Sequence, residues 1–106
     1  MGKRRIPLKT STDSVDSLLA KPVEAEADLH GLDAGSAKVK LESFLSRLAQ
    51  TRPGSVVRII TGRGNRSEGG PVLQPLVRDL LDGHLAKHVQ RYTLISAGGA
   101  YLVQVR

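Results

Sequence analysis

The chain has 106 residues, 40% of them hydrophobic, enough for one compact core and too few for two independent domains of ordinary size. Aromatic residues make up only 3%, which excludes a broad stacking platform for unpaired bases and leaves Val, Leu, Ile and Ala to build the interior. The 16 Lys and Arg against 10 Asp and Glu give a formal charge of +6, a balance that steers phosphate polyanions toward the protein.

Residues 1–22 are polar, charged and aperiodic, and Lys3, Arg4, Arg5 and Lys9 crowd their start, so they are expected to form a flexible basic arm. Val15, Leu18 and Leu19 allow one amphipathic turn within it. The basic start runs into Thr10, Ser11 and Asp13 rather than the apolar core of a signal peptide. No apolar run approaches the roughly 20 residues that span a bilayer. A soluble, cytoplasmic monomer without a membrane partner is expected. The absence of Cys fits a reducing compartment and excludes a thiolate nucleophile and a Cys-based zinc site.

From Val23 the pattern alternates. Val23, Ala25, Ala27 and Leu29 fall on one face and Glu24, Glu26, Asp28 and His30 on the other, as in a half-buried strand. Gly31 breaks it, Asp33 can cap a helix, and Ala37, Leu41, Phe44, Leu45 and Leu48 recur as one helical stripe that must end before Pro53-Gly54. The β-branched run Ser55–Thr61, apolar on both faces apart from Arg58, predicts an interior strand covered on two sides. Strand, helix, strand in this order implies a right-handed parallel crossover.

A loop over Gly62–Gly70 follows, then Val72, Leu73, Leu76 and Leu80 at helical spacing, with Pro75 tolerable near the first turn and Gly83 as a stop. A hairpin closes the chain, with strands at Val89–Ile95 and Ala100–Val105 around Ala97-Gly98-Gly99. The predicted domain is 23–106, in the order β-α-β-α-β-β.

Two groups of residues carry candidate chemistry. Asp28 and His30, two apart on one predicted strand, would leave the same face, where the carboxylate can orient the imidazole and raise its basicity. The alternative is an inert polar pair on an exposed sheet face. The loop Thr61-Gly62-Arg63-Gly64-Asn65-Arg66-Ser67-Glu68-Gly69-Gly70 can turn backbone N–H groups and Arg63 and Arg66 toward an anion, or can simply be a flexible turn. It fits neither a dinucleotide fingerprint nor a Walker loop. The carboxyl ends of two parallel strands open onto one crevice, so the two groups would meet there. His84 and His88 have helical metal-pair spacing, but Gly83 precedes them and the zinc-protease Glu is missing. Tyr101 reads as strand packing.

Asp28-Leu29-His30-Gly31, Thr61-Gly62-Arg63-Gly64 with Ser67 and Gly69, and Gly98-Gly99-Ala100-Tyr101 resemble, in order and spacing, the three signatures of the Smr (small MutS-related) domain family in its stand-alone bacterial form. The resemblance spans about residues 24–106. It implies a two-layer α/β sandwich with a four-stranded mixed sheet, similar to the C-terminal domain of translation initiation factor three. It also implies endonuclease activity: nicking of branched or damaged DNA in repair, or cleavage of messenger RNA on stalled ribosomes in ribosome rescue. The motifs carry over onto Asp28, His30 and Arg63 as catalytic residues. Thr61, Gly62, Arg63, Gly64, Arg66, Ser67 and Gly69 become nucleic-acid-binding residues. Where many members have a His, this chain has Arg66, which can bind phosphate but cannot shuttle protons.

Four functions are therefore in view: RNA cleavage without metal, with His30 as base; Mg²⁺-assisted DNA nicking through Asp28 with Glu24 or Glu26; a non-catalytic module that docks on nucleic acid or the ribosome; and a structural role without nucleic acid.

Overall fold

The computed structural model describes residues 17–62, 73–95 and 99–106. Four strands form one sheet in the order β1-β2-β4-β3, with β1 at Val23–Asp28, β2 at Val56–Ile60, β3 at Val89–Ile95 and β4 at Ala100–Val105. β1 runs parallel to β2, while β4 pairs antiparallel with both β2 and β3, so the sheet is mixed. Helices α1 (Ala34–Thr51) and α2 (Leu73–Asp82) and a 3-10 turn at Ala86–His88 complete the order. This is the expected two-layer α/β sandwich.

Both helices join one face of the sheet in a single core. Ala37, Leu41, Phe44, Leu45 and Leu48 of α1, the stripe read from the sequence, are all buried there with Ala27, Val57, Ile59, Tyr101, Val103 and Val105. From α2 the buried residues are Leu73, Val77, Leu80 and Leu81, while Leu76 is only partly buried. The inward face of α2 is thus turned by about one residue from the predicted stripe. Pro75 is the third residue of α2, where its missing N–H has no helical partner to lose. The Gly83 N–H bonds back to the carbonyl of Asp79 at 3.0 Å and ends the helix. Tyr101 packs as expected, edge-to-face with Tyr92 at 5.7 Å. Burial, together with the Asp82 carboxylate accepting its hydroxyl, pushes the pKa of Tyr92 well above the usual phenolic value.

The second face of the sheet differs from expectation. Among the described residues β2 is covered on that face only in part: Val56 is buried there, whereas Arg58 and Ile60 remain partly exposed. Its cover comes from the segment expected to be a flexible arm. Residues 17–20 are helical, and Leu18, only 1% exposed, packs with Val56, Leu102 and the partly buried Ile95. Arg91 reinforces the contact by donating to the Ser17 hydroxyl at 3.0 Å. Residues 1–16 lie outside the described ones.

Candidate functional site

The site forms where the sheet's strands end against the turn that opens α1. β1 stops at Asp28, so His30 lies beyond the strand, and strand alternation does not set the Asp28–His30 relation as predicted. A turn does. The Asp28 Oδ1 accepts the backbone N–H of His30 at 3.0 Å, and the imidazole Nδ1 lies 3.4 Å from the same oxygen. Leu29 holds the turn against the sheet: its N–H reaches the Ile60 carbonyl at 2.8 Å and its side chain is fully buried. Gly31 follows with φ +84°, a conformation that lets the chain reverse into Leu32 and Asp33. Asp33 then caps α1, accepting from the Ser36 N–H at 2.7 Å, and this bond holds its carboxyl below the usual carboxylate range.

The end of β2 meets the start of β4 at the same place. The carbonyl of Gly99 accepts the N–H groups of both Thr61 and Gly62 at 3.0 Å. Thr61 is buried, and its hydroxyl donates to the Gly62 carbonyl at 3.0 Å. Gly62 has φ +78°, and a side-chain carbon added there would sit 3.5 Å from the His30 Cβ. The segments Asp28–Gly31, Thr61–Gly62 and Gly99–Tyr101 therefore converge within hydrogen-bond and van der Waals reach.

Two expectations change in detail. The amides of Thr61 and Gly62 are turned to Gly99. Those two amides are therefore not free to hold an anion. Arg63, Gly64, Arg66, Ser67 and Gly69 lie outside the described residues. Glu24 and Glu26, considered as helpers of Asp28 in holding a cation, are instead ion-paired with Arg52 at 3.2 Å and Arg58 at 2.8 Å. The β1 register also shifts between Val23 and Ala25, which breaks the regular alternation that placed Glu24 with Asp28.

His84 and His88 do not share a helix, because α2 ends at Asp82 and His88 closes the 3-10 turn. His84 Nε2 instead meets Glu42 Oε2 at 2.5 Å, tying the end of α2 to α1. Among the described residues no group of three or more His, Asp and Glu side chains is gathered for a metal ion, and no helix is long and apolar enough to cross a membrane.

The chemistry left open at this corner is that of an accessible imidazole. The His30 side chain is 70% exposed and that of Asp28 is 54% exposed. Sequence reasoning overlooked Lys40, whose ammonium donates to the Asp28 carbonyl at 3.0 Å. Its signal was topological, because a helix that follows a strand through a short turn runs back alongside that strand's end.

The described residues thus form an α/β sandwich with an exposed carboxylate–imidazole pair at the carboxyl end of two parallel strands. The chain belongs to the Smr domain family, whose family model matches residues 27–106. That family is nucleic-acid-binding and nuclease-related. The fold resembles the solution structure of the B3BP Smr domain, with a TM-score of 0.54 and 30% identity, covering 76% of this chain and 77% of that one. An uncharacterized protein of Treponema pallidum (strain Nichols) is 39% identical over 61 residues, which are 58% of this chain and 30% of that protein. The chain thus spans under a third of that relative's length.

Proposed function

We propose that this Smr domain is a metal-independent endoribonuclease that binds an RNA backbone across the corner formed by Asp28–Gly31, Thr61–Gly62 and Gly99. The observation that carries the reading is the exposed His30, with Nδ1 facing Asp28 Oδ1 at 3.4 Å beside the start of the glycine- and arginine-rich loop. A carboxylate near Nδ1 favours the tautomer with its proton on that nitrogen and a lone pair on Nε2. Nε2 takes the proton of an RNA 2′-hydroxyl, the 2′-oxygen bonds to phosphorus, and the P–O5′ bond breaks as a proton returns to the 5′-oxygen. The products are a 2′,3′-cyclic phosphate and a 5′-hydroxyl. Arg63 and the loop amides beyond Gly62 stabilise the charge that builds on the phosphoryl oxygens. Arg66 holds an adjacent phosphate.

A second reading, binding without cleavage, is favoured by one bond: the Asp28 carboxylate already serves the turn by accepting the His30 N–H. Mg²⁺-assisted DNA nicking ranks lower, because Arg52 and Arg58 engage Glu24 and Glu26. Incubation with end-labelled structured RNA and supercoiled plasmid, each in Mg²⁺ or EDTA, separates the three. The proposal expects RNA cleavage that survives EDTA. Plasmid nicking that requires Mg²⁺ would replace it with the metal route, and salt-sensitive binding with both substrates intact would replace it with docking.

A further inference from the structure

Lys40 stands in the seventh position of α1, with its side chain exposed and its ammonium 3.0 Å from the carbonyl oxygen of Asp28. The direction of that carbonyl follows from the strand. Leu29 turns its N–H inward to Ile60 of β2, so the preceding residue turns its main chain outward, to the free edge of the sheet. Lys40 therefore satisfies an edge carbonyl at the point where β1 gives way to the His30 turn. One of its three N–H donors is used there, and two remain for a ligand.

Its pairing differs from that of the arginines beside β1. Arg52 and Arg58, the cations beside β1, are paired with Glu24 and Glu26, whereas among the described residues no carboxylate pairs with Lys40. An ammonium fixed by a carbonyl keeps its full charge, and its flexible stem has already lost part of its freedom. A cation so held, on the carbonyl two residues before an exposed imidazole, is suited to a phosphodiester oxygen.

We propose that Lys40 is a phosphate-binding residue of the RNA site, holding the backbone so that the neighbouring 2′-hydroxyl is presented to His30. The assignment rests on the RNA-binding reading above, and it adds a contact from α1, a part of the fold separate from the loop after β2. Lys40 positions substrate and moves no proton, so its signature lies in binding rather than in the chemical step.

The test uses a 2′-O-methyl RNA hairpin, which lacks the reacting hydroxyl, so binding is read without cleavage. Dissociation constants are measured across a salt series for the wild-type chain and for Lys40→Met, Lys40→Gln and Lys40→Arg. Loss of one phosphate contact lowers the slope of log affinity against log salt by about 0.7–0.9. Between 50 and 200 mM salt that is about a 3-fold smaller loss of affinity than the wild type shows. Both neutral variants are expected to show the reduced slope with unchanged thermal unfolding, and Lys40→Arg to restore it. A wild-type slope in both neutral variants would overturn the role of Lys40 while leaving RNA binding intact. Absence of salt-dependent binding by the wild-type chain itself would overturn the RNA reading and this inference with it.

Discussion

His30 takes its position from three neighbours in two parts of the chain: the Asp28 carboxylate and the buried Leu29 before it, and the close approach of Gly62. This separates two roles of Asp28 that one substitution would confuse. Asparagine keeps an oxygen that can accept the His30 N–H but loses the charge beside Nδ1. Asp28→Asn is therefore expected to keep the unfolding midpoint within about 2 °C, yet to lower RNA cleavage about 100-fold; thermal unfolding and a cleavage time course check both. Asp28→Ala should lose on both measures. Gly62→Ala forces a side chain into φ +78° and is expected to cost about 1–2 kcal/mol, read by denaturant unfolding; an unchanged midpoint would mean that the turn is not left-handed. Asp28 and His30 were legible as a pair because a carboxylate two residues from an imidazole is a local pattern. Their coupling through a turn was not, since alternation extrapolated from Val23–Ala27 carries His30 into a strand that stops at Asp28. Lys40 was missed because it lies twelve residues from the carbonyl it meets, and only the return of α1 along the end of β1 brings the two together.

Among the elements, the buried stripe of α1 was read in full and Asp33 marks its start, while its end was bounded only by Pro53. Because the cap bond holds the Asp33 carboxyl below its ordinary 3.8, the charged cap contributes stability above that value, and the contribution is lost as pH falls through the lowered folded value. The stability difference between wild type and Asp33→Ala should accordingly be present at pH 7 and shrink below pH 3.8 in acid-unfolding titrations. α2 was read less well. Its apolar residues include Leu73, Leu76, Val77, Leu80 and Leu81, which form two overlapping stripes, and only packing against the sheet decides which one faces inward. The segment at 17–20 was the weakest expectation, since a lone apolar turn in a charged stretch has no period to read. Leu18 is buried on the sheet face opposite the helices, and Leu18→Ala is expected to cost about 2 kcal/mol. A cost within about 0.5 kcal/mol in equilibrium unfolding would show instead an exposed, dispensable arm.

At the scale of the molecule, the formal charge of +6 and the scarcity of aromatic side chains point to recognition through phosphates rather than stacked bases. The parallel crossover and the closing hairpin were legible because each is built from neighbours in sequence. The position of β4 between β2 and β3 depends on distant strands finding each other, and no local pattern records it. That arrangement is what carries Gly99 to Thr61 and Gly62 and so completes the corner in which His30 stands. The reaction proposed for this corner is cleavage of RNA through His30 without a metal ion. Its most direct test is end-group analysis of a structured RNA after incubation in EDTA with the wild-type chain and with His30→Ala. The wild type is expected to leave 2′,3′-cyclic phosphate and 5′-hydroxyl ends, and the variant to leave the RNA intact. Products ending in 3′-hydroxyl groups, or cleavage undiminished in His30→Ala, would contradict it.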